Sequence, residues 1–250
     1  MSANDYQEWF MNRRKMLALL GATGINMLAG CSSHGSGSKK ESGAILLCVV
    51  TPQQTEGPYF VDERLRRSDV RPDPSDGLIK DGLPFALEIR VFVVNPSRKT
   101  DCKPLAGAIV DIWHCDAQGL YSDVMDSGFN TIGNKFLRGY QVTDENGSVR
   151  FISIYPGWYP GRAVHIHFKI RTDSNSMRAD EFTSQLYFDD SITDRVYAQH
   201  QSYARNGSYL PRTKNEGDSI FRKGEDQLML KLVDTGKSYA ATFDVGVEMV

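Results

Sequence analysis

Nine consecutive residues, Tyr159-Pro160-Gly161-Arg162-Ala163-Val164-His165-Ile166-His167, place one phenol, one guanidinium and two imidazoles side by side in the chain. If His165 to Phe168 run as a strand, side chains alternate, so the two histidines share one face while Ile166 and Phe168 take the other. Two imidazoles on one strand face stand roughly 6.5–7 Å apart at Cα, a spacing from which both can reach a single metal ion. A lone His-x-His does not define such a site, because a buried histidine is as readily a hydrogen-bonded core residue. The phenol and guanidinium beside the pair are what set this stretch apart, since they offer an oxygen donor and a fixed positive charge.

The elements that must position these groups read mostly as strands. Leu87–Val94 alternates with β-branched residues and stops at Asn95-Pro96, and Ala108–Trp113 is short and nearly all apolar, as expected of a strand buried on both faces. Tyr140–Thr143 and Val149–Ile154 flank Asp144-Glu145-Asn146-Gly147 and read as a hairpin with an Asn-Gly turn. Further strands are expected at 163–171, 183–187, 227–233 and 240–247. One short helix fits 191–204, with a capping-box-like start at Ser191 and Asp194 and an end at Gly207. Many short strands with regular turns indicate an all-β protein, an antiparallel β-sandwich with few short helices.

Composition narrows the rest. The chain has 250 residues, 40% hydrophobic and 24% charged, with a net charge of −2, enough for one sizeable core or two small ones. There is no basic excess to indicate a nucleic-acid partner.

Residues 1–30 read as a signal peptide. Asn12-Arg13-Arg14-Lys15 precedes the apolar run Met16–Gly21, and Leu28-Ala29-Gly30-Cys31 follows. That apolar stretch is shorter than the ~20 residues a membrane span needs. Leu-Ala-Gly-Cys resembles a bacterial lipobox, with Cys31 as the lipidated residue, and the paired arginines resemble a twin-arginine export signal that lacks its usual aromatic. Residues 31–43, rich in Ser, Gly and Lys, then form a flexible tether, and 44–250 form the folded domain. This implies an exported protein, lipid-anchored to a bacterial membrane and facing the periplasm or the exterior, with membrane contact through the anchor alone.

Beyond Cys31 stand Cys48, Cys102 and Cys115. If residues 103–106 turn the chain, Cys115 lies close to ~30 Å from Cys102 along the next strand, whereas bridged cysteines need Cα atoms within about 7 Å. A bond that includes Cys48 is favoured over a Cys102–Cys115 pair.

Four ordered motifs carry a more specific resemblance: Thr55-Glu56-Gly57-Pro58-Tyr59-Phe60; Ala108–Trp113 leading through Asp116-Ala117-Gln118-Gly119 to Tyr121; Leu137-Arg138-Gly139-Tyr140 through Gly147; and Pro156-Gly157-Trp158-Tyr159 with Arg162–Phe168. Together with Ser184-Gln185-Leu186-Tyr187-Phe188 they resemble the intradiol ring-cleavage dioxygenases, the family that includes protocatechuate 3,4-dioxygenase, over roughly residues 48–190. The resemblance implies that family's β-sandwich and a non-haem Fe(III) held by Tyr121, Tyr159, His165 and His167. It also implies Arg162 as an active-site cation, Gln185 as a further polar group, and Tyr159 as the ligand that leaves when substrate binds. The implied reaction cleaves a catechol-type ring with O2 between its two hydroxyl-bearing carbons, giving a cis,cis-muconate-type diacid.

The donor set suits that ion on its own chemistry. Phenolate oxygen is a hard anion that stabilises Fe(III), and imidazole serves either oxidation state. Two phenolates and a hydroxide cancel three positive charges, so the site can be neutral in a low-dielectric pocket. Arg162 can stabilise negative charge developing on the ring.

Taken singly the same residues have plain readings: Tyr121 as a surface loop tyrosine, Tyr159 as a packed turn residue, His114 as a core histidine beside Trp113, His200 on the exposed side of the helix, His34 in the tether. Asp111 and Asp116 form a possible carboxylate pair with nothing complementary nearby in the chain. Tyr159 and His165 are only six apart, closer than in well-studied members of the family, which implies an opened or reshaped substrate pocket. Two rival functions fit part of the pattern, a non-catalytic β-sandwich binding module and a zinc hydrolase, the latter disfavoured because zinc sites mostly use His, Cys and carboxylates.

Overall fold

The computed structural model describes residues 49–95, 97, 102–172, 181–204 and 211–248. The expectations placed on residues 1–43, on Cys48 and on Gly207 lie outside them.

Eleven strands and one α-helix are present among the described residues: β1 (Pro84–Val94), β2 (Cys102–Pro104), β3 (Ile109–Trp113), β4 (Met125–Asp126), β5 (Phe129–Asn130), β6 (Arg138–Val142), β7 (Ser148–Ile154), β8 (His165–Arg171), β9 (Glu181–Tyr187), α1 (Asp190–Gln199), β10 (Val233–Asp234) and β11 (Tyr239–Val247). One sheet runs β6-β3-β8-β9, antiparallel throughout. The other is built on β1, which pairs with β11 on one side and with β7 and then β2 on the other, while β10 edges β11. The β1–β11 pair is parallel, a departure from a wholly antiparallel sandwich.

Alternation decides what lies between the sheets. Phe85, Leu87, Ile89 and Val91 of β1 meet Val110 and Ile112 of β3 and Ile166, Phe168 and Ile170 of β8 in one apolar core. Each is essentially solvent-free. Their removal from water drives the sheets together at about 25 cal/mol per Å² of apolar area. The odd-numbered residues of β8, His165 and His167 among them, face away from this core.

Three expectations need correction. The Asn-Gly segment does not close a hairpin, because β6 belongs to the four-stranded sheet and β7 to the other. It is a corner between sheets. Gly147 has φ +72°, and a Cβ there would collide with the Val91 carbonyl, so the corner needs glycine to dock on β1. Second, the helix is capped by Asp189, whose carboxylate accepts from the Ser191 and Ile192 N–H groups, and it ends at His200 before a 3-10 turn at Gln201–Tyr203. His200 is thus the half-buried C-cap, rather than a residue on the helix's exposed side. Third, the strand expected at 227–233 is broken up: a 3-10 turn, Glu225–Leu228, takes its start, a single bridge joins Met229 to Tyr187, and the two-residue β10 takes its end.

Cys102 is disulfide-bonded and Cys115 is a buried cysteine outside any disulfide, in line with the strand-length argument against pairing them.

Candidate metal centre

The two histidines of β8 stand on the outer face of the four-stranded sheet and are nevertheless buried. Three things cover them: residues 54–61, the loop after β3, and the loop before β8. Register supplies their neighbours: His167 is opposite Trp113 of β3 on one side and Gln185 of β9 on the other, and His165 is opposite Tyr187. The Trp113 and His167 rings stack at 4.8 Å between centroids, 5° from parallel, which fixes the imidazole plane.

The tyrosines arrive on loops. After β3, the Asp116 carboxylate accepts from the N–H groups of Gln118 and Leu120, both at 3.0 Å, an Asx-type turn that delivers Tyr121 inward. Thr131 then donates to the Tyr121 carbonyl at 2.6 Å. The Tyr159 loop is tied to the same turn, since the Gly157 N–H donates to the Asp116 carbonyl at 3.2 Å. A Cβ on Gly157 would collide with the Asp116 and Ala117 carbonyls, so glycine permits the close approach. Arg138 of β6 binds the cover together, donating to the Ser122 hydroxyl at 2.7 Å and the Tyr59 carbonyl at 3.1 Å.

The outcome is a convergence on one atom. His165 Nε2 lies 3.4 Å from Tyr121 Oη, 3.3 Å from Tyr159 Oη and 3.0 Å from His167 Nε2. His165 Nδ1 lies 2.6 Å from the Ala163 carbonyl, which can only accept, so Nδ1 carries the proton and Nε2 is left with one lone pair. Two phenols and an imidazole therefore compete for a single acceptor, and His167 Nδ1 is buried with no partner. A polyvalent cation resolves the competition, because all four atoms then act as electron-pair donors. The described residues contain no group of three His, Cys, Asp or Glu side chains suited to a metal. Phenols complete this set instead.

Burial favours the neutral form of all four groups. Burial raises the Tyr121 phenol well above its ordinary range. Burial also pushes Tyr159 up to about 12, against the pull of the Arg162 cation. The same burial, with Arg162 adding to it, keeps His165 neutral down to about 3, and burial together with His165 and Arg162 holds His167 well below its usual range. Neutral imidazole is the ligating form, and a bound cation favours phenolate.

Arg162 flanks the cluster. Its Nε donates to Asp218 at 2.9 Å, and its Nη2 donates to the Gln185 side-chain oxygen and, at 3.4 Å, to the Tyr187 hydroxyl. Gln185 in turn donates to the Thr55 carbonyl at 2.8 Å. Burial raises the Asp218 carboxyl, but the Ala163 N–H and the Arg162 guanidinium outweigh it and hold it below the usual range. The guanidinium is thus aimed by a buried carboxylate. Beside the cluster a cavity of about 380 Å³ is lined by Tyr59, Leu120, Tyr121, Phe129, Tyr159 and Pro160 among others.

This arrangement has counterparts in known proteins. The dioxygenase family profile matches residues 55–207, more than half of the chain. The intradiol ring-cleavage dioxygenase of Tetranychus urticae superposes with a TM-score of 0.65 at 29% identity, covering 80% of this chain and 95% of that one. The chain belongs to the intradiol ring-cleavage dioxygenase family. The dioxygenase domain of a carbohydrate-binding fusion protein from Streptomyces sp. SirexAA-E superposes at 0.56 with 26% identity, over 81% and 100% of the two chains. Catechol 1,2-dioxygenase 1 of Acinetobacter lwoffii is 28% identical over 166 residues, 56% of this chain and 49% of its own length. The protocatechuate 3,4-dioxygenase beta chain of Burkholderia cepacia is 31% identical over 124 residues, 46% and 51% of the two. The chain spans about half the length of the curated relatives it matches.

Within this intradiol fold, Tyr121, Tyr159, His165, His167, Arg162 and Gln185 all come together. His114 does not join them: its ring nitrogens meet the Cys115 carbonyl at 2.8 Å and the Ser153 hydroxyl at 2.6 Å. Asp111 and Asp116 are no pair, since Asp111 grips Arg171 through two 3.0 Å contacts and Asp116 meets Lys80 at 3.1 Å. Sequence reading missed Tyr187 and Asp218. Strand alternation signals Tyr187, two residues from Gln185 on the same face. Asp218 precedes a run of 3-10 turns and has no periodicity to mark it.

Proposed function

We propose that this chain is a non-haem Fe(III)-dependent intradiol dioxygenase that opens a catechol-type ring between its hydroxyl-bearing carbons with O2, giving a cis,cis-muconate-type diacid. The observation that carries the reading is the meeting of two phenol oxygens and His167 Nε2 around His165 Nε2 at 3.0–3.4 Å. Tyr121, Tyr159, His165 and His167 would hold the ion. Bound there, Fe(III) would supply the positive charge that lets a catechol lose both hydroxyl protons and the electron demand that makes its ring reactive towards O2. The names of the curated relatives, catechol and protocatechuate dioxygenases, support the substrate class.

The protein groups divide the remaining work. Tyr159 is half-buried on a Pro/Gly turn, next to the cavity, and is the donor free to take a catechol proton at Oη and swing out. Tyr121 is sealed in and stays. Arg162, already aimed by Asp218 and Gln185, faces the site with its charge and stabilises the ring as it becomes anionic. Trp113, stacked on His167, keeps that imidazole from turning.

The test is oxygen uptake by the iron-loaded protein against simple catechols, with the ring-opened diacid identified by mass. A red-brown colour from phenolate-to-iron charge transfer is expected beside it. A protein that stays colourless and iron-free after ferric reconstitution refutes the ligand set.

The same proposal places the enzyme outside the cytoplasm, lipid-anchored through Cys31. Its support is the Arg13-Arg14 and Leu28–Cys31 pattern alone. Cys31→Ser is expected to abolish metabolic fatty-acid labelling. Unlabelled wild-type protein in the soluble cytoplasm overturns it.

A further inference from the structure

The cavity beside Tyr121 and Tyr159 is uneven in charge. Of the described residues that line it, Asp126 is the one with an ionised side chain. Tyr59, Leu120, Phe129 and Pro160 supply flat or apolar wall, and no lysine, arginine or histidine is among them. The nearby cation, Arg162, is paired with Asp218 at 2.9 Å and is not among the lining residues.

Asp126 is held in place from three directions. The Tyr59 hydroxyl donates to one carboxylate oxygen, and the Ser127 N–H and hydroxyl donate to the other. Tyr59 itself stacks on Tyr121, 4.6 Å between ring centroids, and meets Tyr159 edge-on at 6.2 Å. The carboxylate is therefore fixed at the rim through the ring that packs on a proposed iron ligand. It sits on the β4–β5 ribbon, which ties the rim to the wall through Phe129, opposite Asp126 in that pairing. The ribbon lines the same cavity of about 380 Å³ as Tyr121 and Tyr159, so a ring held beside the two tyrosines has Asp126 within its cavity.

We propose that the β4–β5 rim selects the ring substituent by charge: catechols with a cationic, ammonium-bearing side chain are favoured over those with a carboxylate, and Asp126 is the specificity-determining residue. The inference rests on the reading that a catechol-type ring enters this cavity. A carboxylated ring would bring a second anion to a wall with no cation to receive it, whereas an ammonium group finds a pre-oriented partner. Because Asp126 is exposed to water, attraction and repulsion are each a few-fold effect, so the two charge types should differ by about tenfold. Added salt should compress that difference, the Debye length being ~3 Å at 1 M against ~10 Å at 0.1 M.

The experiment compares dopamine, catechol and protocatechuate on the full-length iron-loaded protein. Binding is followed anaerobically by calorimetry and turnover by oxygen uptake. The expected result is a dopamine-to-protocatechuate affinity ratio of about ten at low salt, reduced several-fold in Asp126→Asn and inverted in Asp126→Lys. Tyr59→Phe, which removes a hydrogen bond and keeps the charge, should preserve the sign of the preference. A wild-type ratio near one, or a ratio that Asp126→Lys leaves unchanged, overturns the proposal. Failure of the catalytic reading looks different, since none of the three compounds is then consumed while the binding ratio still reports on the rim.

Discussion

Three histidines lie equally deep, with His114, His165 and His167 exposed by 1%, 2% and 1%, yet their surroundings differ in kind. His114, at the end of β3, has an oxygen against each ring nitrogen and links its own sheet to Ser153 of the other. It is a satisfied polar group of the sort cores tolerate. His165 and His167 share one nitrogen–nitrogen contact, crowd two phenols around it, and leave His167 Nδ1 unpaired. Burial does not separate His114 from the other two. The balance of protons to lone pairs does.

The sharpest way to break the contrast is substitution. His165→Ala or His167→Ala is expected to reduce bound iron to background, measured by elemental analysis, and to abolish the visible band. His114→Gln is expected to keep both. If His114→Gln also lost the metal, the contrast would collapse.

A second probe separates holding the ion from using it. Arg162→Leu should keep iron and colour while turnover falls by about two orders of magnitude, the scale for losing a transition-state charge partner. Asp218→Asn should cost less, about tenfold, because the guanidinium remains and only its aim is relaxed. Its loss should appear in kcat rather than KM. A loss in Asp218→Asn larger than that in Arg162→Leu would show Asp218 to act other than through Arg162.

The two tyrosines should differ more modestly. Tyr121→Phe is expected to remove the more buried phenolate and weaken iron retention. Tyr159→Phe is expected to retain iron, shift the band and lose the substrate-induced spectral change, followed by anaerobic catechol titration. Identical spectra for both variants would contradict the division into fixed and mobile donors.

The smallest effect concerns acid. Burial pulls His114 down from 6.5 to about 4, so its neutral form contributes stability that is present above about pH 6.5 and lost as the pH falls towards 4. At about 1.4 kcal/mol per pKa unit the full loss is about 3 kcal/mol. Urea midpoints between pH 7 and 4 should therefore fall less steeply in His114→Gln than in wild type. Parallel slopes would remove His114 from the account.

These contrasts also mark what the chain discloses unaided. Alternation in β8 is visible in its letters, because Ile166, Phe168 and Ile170 must face the core and so push His165 and His167 outward. The meeting of Tyr121 with Tyr159 is not visible, as it depends on two loops joined through the Asp116 carbonyl. Gln185 becomes unambiguous only through register, opposite His167. Asp218 is silent, since an isolated carboxylate in irregular backbone resembles any surface aspartate. The supposed hairpin fails for a related reason: Asn-Gly specifies a tight turn, but whether the flanking strands pair or part into separate sheets is decided by the core. The apolar run at 227–233 starts in a 3-10 turn and continues with one bridge and a two-residue strand, a distinction that short apolar runs do not encode.

The parallel pairing of β1 with β11 has a temporal side. Arg90 meets Asp244 across 154 residues of chain, so the central strand of one sheet waits for a partner made that much later. Every residue assigned to the site, through Asp218, precedes β11, which begins at Tyr239, in the chain. At about 5–20 residues per second, the stretch from Asp218 to Val247 takes roughly 1.5 to 6 s. During that interval β1 is without this partner, and one long edge of its sheet is open to wrong pairing.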